Sequence, residues 1–379
     1  MNIPTQSTKI WASALLLGAI AFSSCEKESD DVCGGTPSIS GVTMPTKRDA
    51  AATTGNLTDW VIIQGSNFCN VKQVLFNDIE ADLTDAYITQ NEITLRVPRA
   101  VPKEVTNKIS VVTDGGSADS PYTVVVPSLS LSSLTNEYAV EGEQAVLVGK
   151  FFDLYGVTPQ TGKVMLGETA VAITRSTADS VFFVVPAGVA ANSEVKVVDA
   201  NGVTTTMPGG RFRDGRNIIF SYDTNGSVWG GTDFITNAAS PGAISGSYVR
   251  VNKVVDAWAW TELSANNNIV IPADALVNPG NYALKFEINT LKIFNNNKLL
   301  IAIDGDPGGN PPLNTYVWDA TAASFTTKGK WVTRSIDLNQ FITKPIPEKA
   351  MHEVRVVLFG GAILDADISF DNFRIVPKN

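Results

Sequence analysis

Two short stretches of the chain place large aromatic rings two residues apart: Asp256-Ala257-Trp258-Ala259-Trp260-Thr261-Glu262 and Tyr316-Val317-Trp318-Asp319. In a β-strand, residues i and i+2 project from the same face, so each stretch would present two rings side by side, the first with alanines behind them. Rigid rings give a large contact area at little entropic cost. A pyranose suits such plates because its axial C–H face packs on a ring while its equatorial hydroxyls seek planar polar partners. By analogy with base stacking, each ring is worth ~1–3 kcal/mol. Trp260, Tyr316 and Trp318 are the leading candidates, with Trp258 next. The candidate polar partners are Glu287 and Asn289, from the alternating segment Ala283–Asn289, together with Arg250 and Arg355 at outward positions on apolar strands. Trp331 enters an alternating run, Trp331–Leu338, that reads as core, whereas Trp229 beside Gly230-Gly231 fits either role.

Other chemistries lack their parts. One histidine, His352, and three cysteines, Cys25, Cys33 and Cys69, cannot build a structural zinc site or a Cys/His nucleophile pair. No GxSxG elbow accompanies His352. Asp304, Asp306 and Asn310 fall short of a calcium ligand set and read as a turn-rich loop. No metal and no cofactor is expected. A formal charge of −9 without a Lys/Arg run argues against nucleic acid as a partner. A glycoside hydrolase needs two carboxylates flanking the scissile bond; Glu262 and Glu287 exist, but nothing in the sequence pairs them. Residues 217–379 also lack the alternating βα pattern of a barrel. The expectation is a binding protein, not an enzyme. The alternative is an adhesin or assembly factor for a protein partner, which would not specifically need same-face aromatic pairs.

The elements that position these residues follow from the length and an internal repeat. A chain of 379 residues suggests two or three domains. Five segments recur in order at offsets of 84 to 90 residues: Pro37–Ser40 as Pro127–Ser130, Val61–Phe68 as Ala145–Phe152, Val74–Phe76 as Val164–Leu166, Arg96–Pro98 as Val184–Pro186, and Val111–Gly116 as Val197–Gly202. Each copy consists of short Val/Ile/Leu/Thr/Phe runs broken by Gly, Asn, Asp and Pro, the grammar of a β-sandwich. Pro98 and Pro186 each follow an apolar run, and Asp114-Gly115 and Asn201-Gly202 are hairpin-type turns. Near Arg211–Arg216 the character changes, and five of the seven tryptophans lie in the strand-like remainder. The fold class is all-β: two tandem sandwiches, 36–126 and 127–212, then a larger sandwich, 213–379.

The amino terminus is an address. Lys9, the thirteen-residue apolar and small stretch Ile10–Phe22, Ser23-Ser24 and Cys25 follow the order of a signal too short to span a bilayer. That order resembles a bacterial lipoprotein signal (1–24), in which Cys25 is acylated. In the tether that follows, 25–35, the acidic run Glu26–Asp31 resembles the export signal of Bacteroidetes lipoproteins, which implies the outer face of the outer membrane. Cys33 and Cys69 would then remain as a plausible disulfide or as free thiols.

The pattern G-x-x-F, V-x-F/L, V-P, V-x-x-x-G in both repeats resembles the IPT/TIG immunoglobulin-like family. Ile244–Val251, the Trp258/Trp260 pair, Lys328–Thr333 and Ala366–Ile375 resemble the C-terminal domain of Bacteroidetes surface glycan-binding proteins encoded in polysaccharide-utilisation loci. The resemblance implies immunoglobulin-like spacers that carry a terminal glycan-binding sandwich. It further implies capture of xyloglucan or another β-glucan for a neighbouring outer-membrane transporter and surface glycanase.

Overall fold

The structure, a computed structural model, describes residues 34–223 and 230–378. The signal-like segment with Cys25, most of the acidic tether, Cys33 and Trp229 lie outside the described residues. Cys69 is disulfide-bonded.

The first sandwich has a five-stranded sheet in the order Lys47–Ala51, Ser38–Met44, Trp60–Ser66, Glu92–Arg96, Tyr87–Ile88. Opposite it lies a four-stranded sheet in the order Gly116–Pro121, Lys108–Thr113, Gln73–Phe76, Ile79–Glu80. Alternate residues of the two sheets meet in one core: Val61, Ile63, Ile93 and Leu95 from the first, Val74, Phe76, Ile109 and Val111 from the second. Asp114-Gly115 is the two-residue loop of a hairpin in which Thr113 faces Gly116.

The second sandwich runs as one seven-stranded path: Ser130–Leu134, Gln144–Lys150, Ser180–Val184, Thr169–Ser176, Lys163–Leu166, Ser193–Val198, Thr204–Phe212. At one corner the repeat extends to backbone detail. Phe68 and Phe152 are both sealed in their cores and lie beneath Gly65 and Gly149. A Cβ on either glycine would fall 1.9 or 2.2 Å from the carbonyl oxygen of Ser38 or Ser130, so only glycine lets the strands close. Asn67 and Phe151, just before the buried rings, are both left-handed, with φ of 59° and 67°.

The terminal domain packs two sheets face to face. One holds Ile235–Thr236, Tyr248–Val251, Ile368–Pro377, Tyr282–Thr290 and Val332–Asp337 in that order, with Ile218–Phe220 also paired to Ile368–Pro377. The other holds Thr261–Ile269, His352–Leu358, Lys298–Asp306 and Leu313–Asp319. Their inner faces share a core in which Phe286 stacks on Phe373 at 4.8 Å, against Leu299, Ile301, Val354, Val356 and Leu358. Each such side chain contributes about 1.5–3 kcal/mol when fully buried.

A buried ionic network joins the second sandwich to the terminal domain. Arg374, fully buried, donates to both carboxylate oxygens of Glu287 at 2.8 and 3.1 Å and to Glu137 of the second sandwich at 2.7 Å. Lys285 reaches Glu137 at 2.5 Å. The Thr333 hydroxyl donates to Glu287 and accepts the Glu137 amide, while the Thr333 amide donates to the Thr135 carbonyl. Removing one partner of such a cluster leaves an uncompensated charge in a dry interior. Arg374→Ala is therefore expected to lose about 3–5 kcal/mol of unfolding free energy in a denaturant titration; a loss below about 1 kcal/mol would mean that water already solvates the cluster.

Candidate functional site

The four-stranded sheet of the terminal domain has one face on the core and an outer face that is exposed only in part, with Leu300, Ala302 and Val357 buried on it. In His352–Leu358, Val354, Val356 and Leu358 point inward, so Arg355 and the following Phe359 point outward. On the neighbouring strand the inward Thr261, paired with Leu358, leaves Trp260 and Glu262 on the outer face. Four groups thus converge. Trp260 lies 5.4 Å from the Phe359 ring, centroid to centroid, and Trp258 lies 5.8 Å from the same ring. Arg355 sits over Trp260 at 5.6 Å and grips Glu262 at 2.7 and 2.8 Å. Trp258 is 68% exposed and Trp260 40%, large values for indoles.

Trp258 is not on a strand. It occupies the turn before Thr261 with φ of 63°, a conformation that bulky residues rarely adopt. Its amide donates to the Gly360 carbonyl at 2.7 Å, and its ring lies so close over Gly361 that a Cβ there would come within 2.9 Å. Backbone strain held in this way at an exposed ring is typical of binding sites. The loop beginning at Asp306 flanks the other side, with Gly308 close to the Trp260 ring. Asp306 accepts the Gly308 amide at 3.0 Å, which makes the segment a turn as expected. Asp304 is occupied by His352 Nδ1 at 2.5 Å, Lys349 at 2.7 Å and the Glu353 amide at 2.9 Å. Burial works against its charge, but these partners outweigh it and hold the carboxyl below its usual range.

The second aromatic pair goes elsewhere. Tyr316 and Trp318 were expected beside Trp260, but they alternate onto the inner face, opposite Ile301 and Leu299, and the exposed residue of that segment is Val317. Trp318 packs edge-on against Phe294 and Phe325 at 5.2 and 4.9 Å. Tyr316 packs edge-on against Phe341 at 6.1 Å. Trp331 is buried, donates from Nε1 to the Gly242 carbonyl at 2.8 Å and meets Tyr248 edge-on.

Of the expected polar partners, Arg355 alone lies beside the open platform. Arg250 is on the other sheet, where Asp367 takes its guanidinium at 2.8 and 2.9 Å and the Ser240 carbonyl a further donor. Glu287 and Asn289 were expected on a solvated strand face, but both are buried. Glu287 belongs to the Arg374 network, and Asn289 donates to the Gly329 carbonyl at 2.9 Å. Phe359 and the bracing glycines were missed by sequence reasoning. The outward alternation Glu353, Arg355, Phe359 was the available signal.

Burial pushes the Glu287 carboxyl up to about 7 despite Arg374, and pushes Asp371, fully buried near Glu287 and Asp223, up to about 9. Among the described residues no cluster of three or more His, Cys, Asp or Glu side chains could hold a metal ion.

The fold and this surface define a multimodular protein in which two immunoglobulin-like sandwiches precede a larger terminal β-sandwich that carries an exposed aromatic platform. Residues 212–377 match the family model described as the surface glycan-binding protein B xyloglucan binding domain, and residues 37–124 match the IPT/TIG domain. The first of these matches covers the terminal domain, 166 of the 379 residues. Among solved structures, the chain resembles a surface glycan-binding protein B of Prevotella bryantii at 20% identity and a TM-score of 0.62, over 91% of this chain and 100% of that one. That likeness establishes a shared fold. A surface glycan-binding protein B from a complex xyloglucan utilization locus of Bacteroides uniformis matches at 19% identity and a TM-score of 0.49, over 90% and 99% of the two chains. No curated protein matches the chain.

Folding raises the Asp371 pKa from 3.8 to about 9, so folding takes up a proton between those values. Its contribution to stability is full below pH 3.8 and is lost as pH rises toward 9. Asp371→Asn should therefore melt higher than the parent chain at pH 8, with the gap narrowing toward pH 5. A gap that stays constant across this range would mean that Asp371 is not held protonated.

Proposed function

We propose that this chain is a non-catalytic, cell-surface glycan-binding protein. Its terminal domain holds a neutral β-glucan of the xyloglucan class on Trp258, Phe359 and Trp260. The observation that carries the reading is the exposed aromatic platform, braced from behind and bordered by the Arg355–Glu262 pair. Both residues of that pair keep free donors or acceptors for sugar hydroxyls. The description of the family model that the domain matches points to the same ligand class. Stacking on exposed rings exploits the apolar face of a pyranose and needs no ionic contact, which suits a neutral polymer.

A hydrolytic role finds no support at this surface. Glu262, the carboxylate beside the tryptophans, is gripped by Arg355, and the two carboxyls with strongly raised pKa values, Glu287 and Asp371, are sealed inside the domain. A general acid must reach the bond it protonates.

The cellular setting extends the same reading. An acyl chain on Cys25 anchors the protein at the outer face of the outer membrane, and the two sandwiches space the binding domain from the lipid. The captured glycan passes to a neighbouring transporter and a surface glycanase.

Affinity electrophoresis through gels containing xyloglucan, mixed-linkage β-glucan, mannan or pectin, followed by titration calorimetry, tests the platform. Trp260→Ala should cost about 1–3 kcal/mol, roughly 5- to 150-fold in affinity, with the melting temperature nearly unchanged. Trp318→Ala should instead lower the melting temperature, because it removes a ring packed against the core. Retention unaffected by Trp260→Ala would eliminate the platform as the binding surface.

A further inference from the structure

A cavity of about 540 Å³ lies between the second sandwich and the terminal domain, within one compact unit. It is separate from the platform and formed where two sheet edges approach. One wall is the edge strand Ser130–Leu134 with Thr135, and the other is the edge strand Val332–Asp337, tied to the first by the Thr333 amide and Thr135 carbonyl at 2.8 Å. The volume is that of a small-molecule site.

The charged residues that line it are almost all accounted for. Glu137 is held by Lys285 and Arg374, and Asp337 is paired with Lys378 at 3.2 Å. Arg334 is the exception. Its guanidinium lies over the Trp318 ring at 4.3 Å and the Phe325 ring at 5.4 Å, yet among the described residues no carboxylate pairs with it. Its Nε is buried and has no hydrogen-bond partner. The two rings hold the guanidinium in place, and a guanidinium without a carboxylate partner is ready to receive one through its terminal N–H groups. Phe325 adds an apolar wall, and Ser132, Ser133 and Ser335 add hydroxyls that can pair with those of a sugar.

We propose that this groove is a second saccharide site, selective for a carboxylate-bearing sugar: a uronic acid residue whose carboxylate pairs with Arg334 and whose ring packs against Phe325. The unpaired cation supplies the local charge complementarity, and the mix of apolar wall and hydroxyls favours a sugar over a bare anion. The groove is independent of the neutral-glucan platform, so either reading can fail without the other.

Titration calorimetry of the full chain with digalacturonate, cellobiose and triglutamate tests it, in the parent, Arg334→Gln and Trp260→Ala forms. Digalacturonate should bind the parent and Trp260→Ala alike, and roughly ten- to hundredfold more weakly to Arg334→Gln. Arg334→Gln should keep its retention by the neutral glucan. Should Arg334→Gln fold poorly, the parent chain alone decides the matter, because affinity for digalacturonate must fall as salt rises. The proposal is overturned by absence of digalacturonate binding, by binding indifferent to salt or to Arg334→Gln, by its loss in Trp260→Ala, or by equal affinity for triglutamate.

Discussion

A β-strand has two faces, and in the terminal domain every strand of the four-stranded sheet must commit one of them to the core. That constraint decides which aromatic side chains are available to a ligand. Once Leu299, Ile301, Val356 and Leu358 face Phe286 and Phe373, Tyr316 and Trp318 are drawn inward by register, and Trp260, Arg355 and Phe359 are left on the outer side. A one-residue slip would exchange the two sets. Trp258 escapes the rule because it lies in a turn, and its left-handed backbone, tied to Gly360 and seated over Gly361, carries its ring to the same side.

The second organising feature is the Arg374 network. Replacing a buried ionic cluster with apolar side chains of similar volume is often neutral or stabilising, so its presence is better explained by geometry than by energy. Arg374 meets Glu287 and Glu137 with near-ideal distances, and together with the Thr333–Thr135 bond it ties the second sandwich to the terminal domain.

Much of this architecture was legible in the sequence. The ordered repeat announced two like sandwiches, and the Gly65/Phe68 and Gly149/Phe152 pairs turned out to mark the same close strand approach in each. The alanines at 257 and 259 that alternate with Trp258 and Trp260 pointed to an open surface, although the first ring is placed by a turn instead of by strand alternation. Tyr316-Val317-Trp318 was ambiguous because either alternate set is apolar, and only the partner strand determines which side is the core. Glu287 and Asn289 misled for a different reason. A charged residue on an alternating strand ordinarily means solvent, but the partner that permits burial, Arg374, lies 87 residues away, and Glu137 belongs to another sandwich. Local pattern carries no trace of such long-range pairing. Arg334 is missed likewise, since its aromatic floor comes from a different strand and loop.

The central claim is that ligand lies across Trp258 and Trp260, and tryptophan oxidation footprinting tests it most directly. With N-bromosuccinimide and peptide mass mapping, Trp258 and Trp260 should be oxidised readily in the free chain and Trp318 and Trp331 slowly. Added xyloglucan should protect Trp258 and Trp260 together. Oxidation of both at an unchanged rate in the presence of saturating, retained glycan would contradict the account and place the binding surface elsewhere on the molecule.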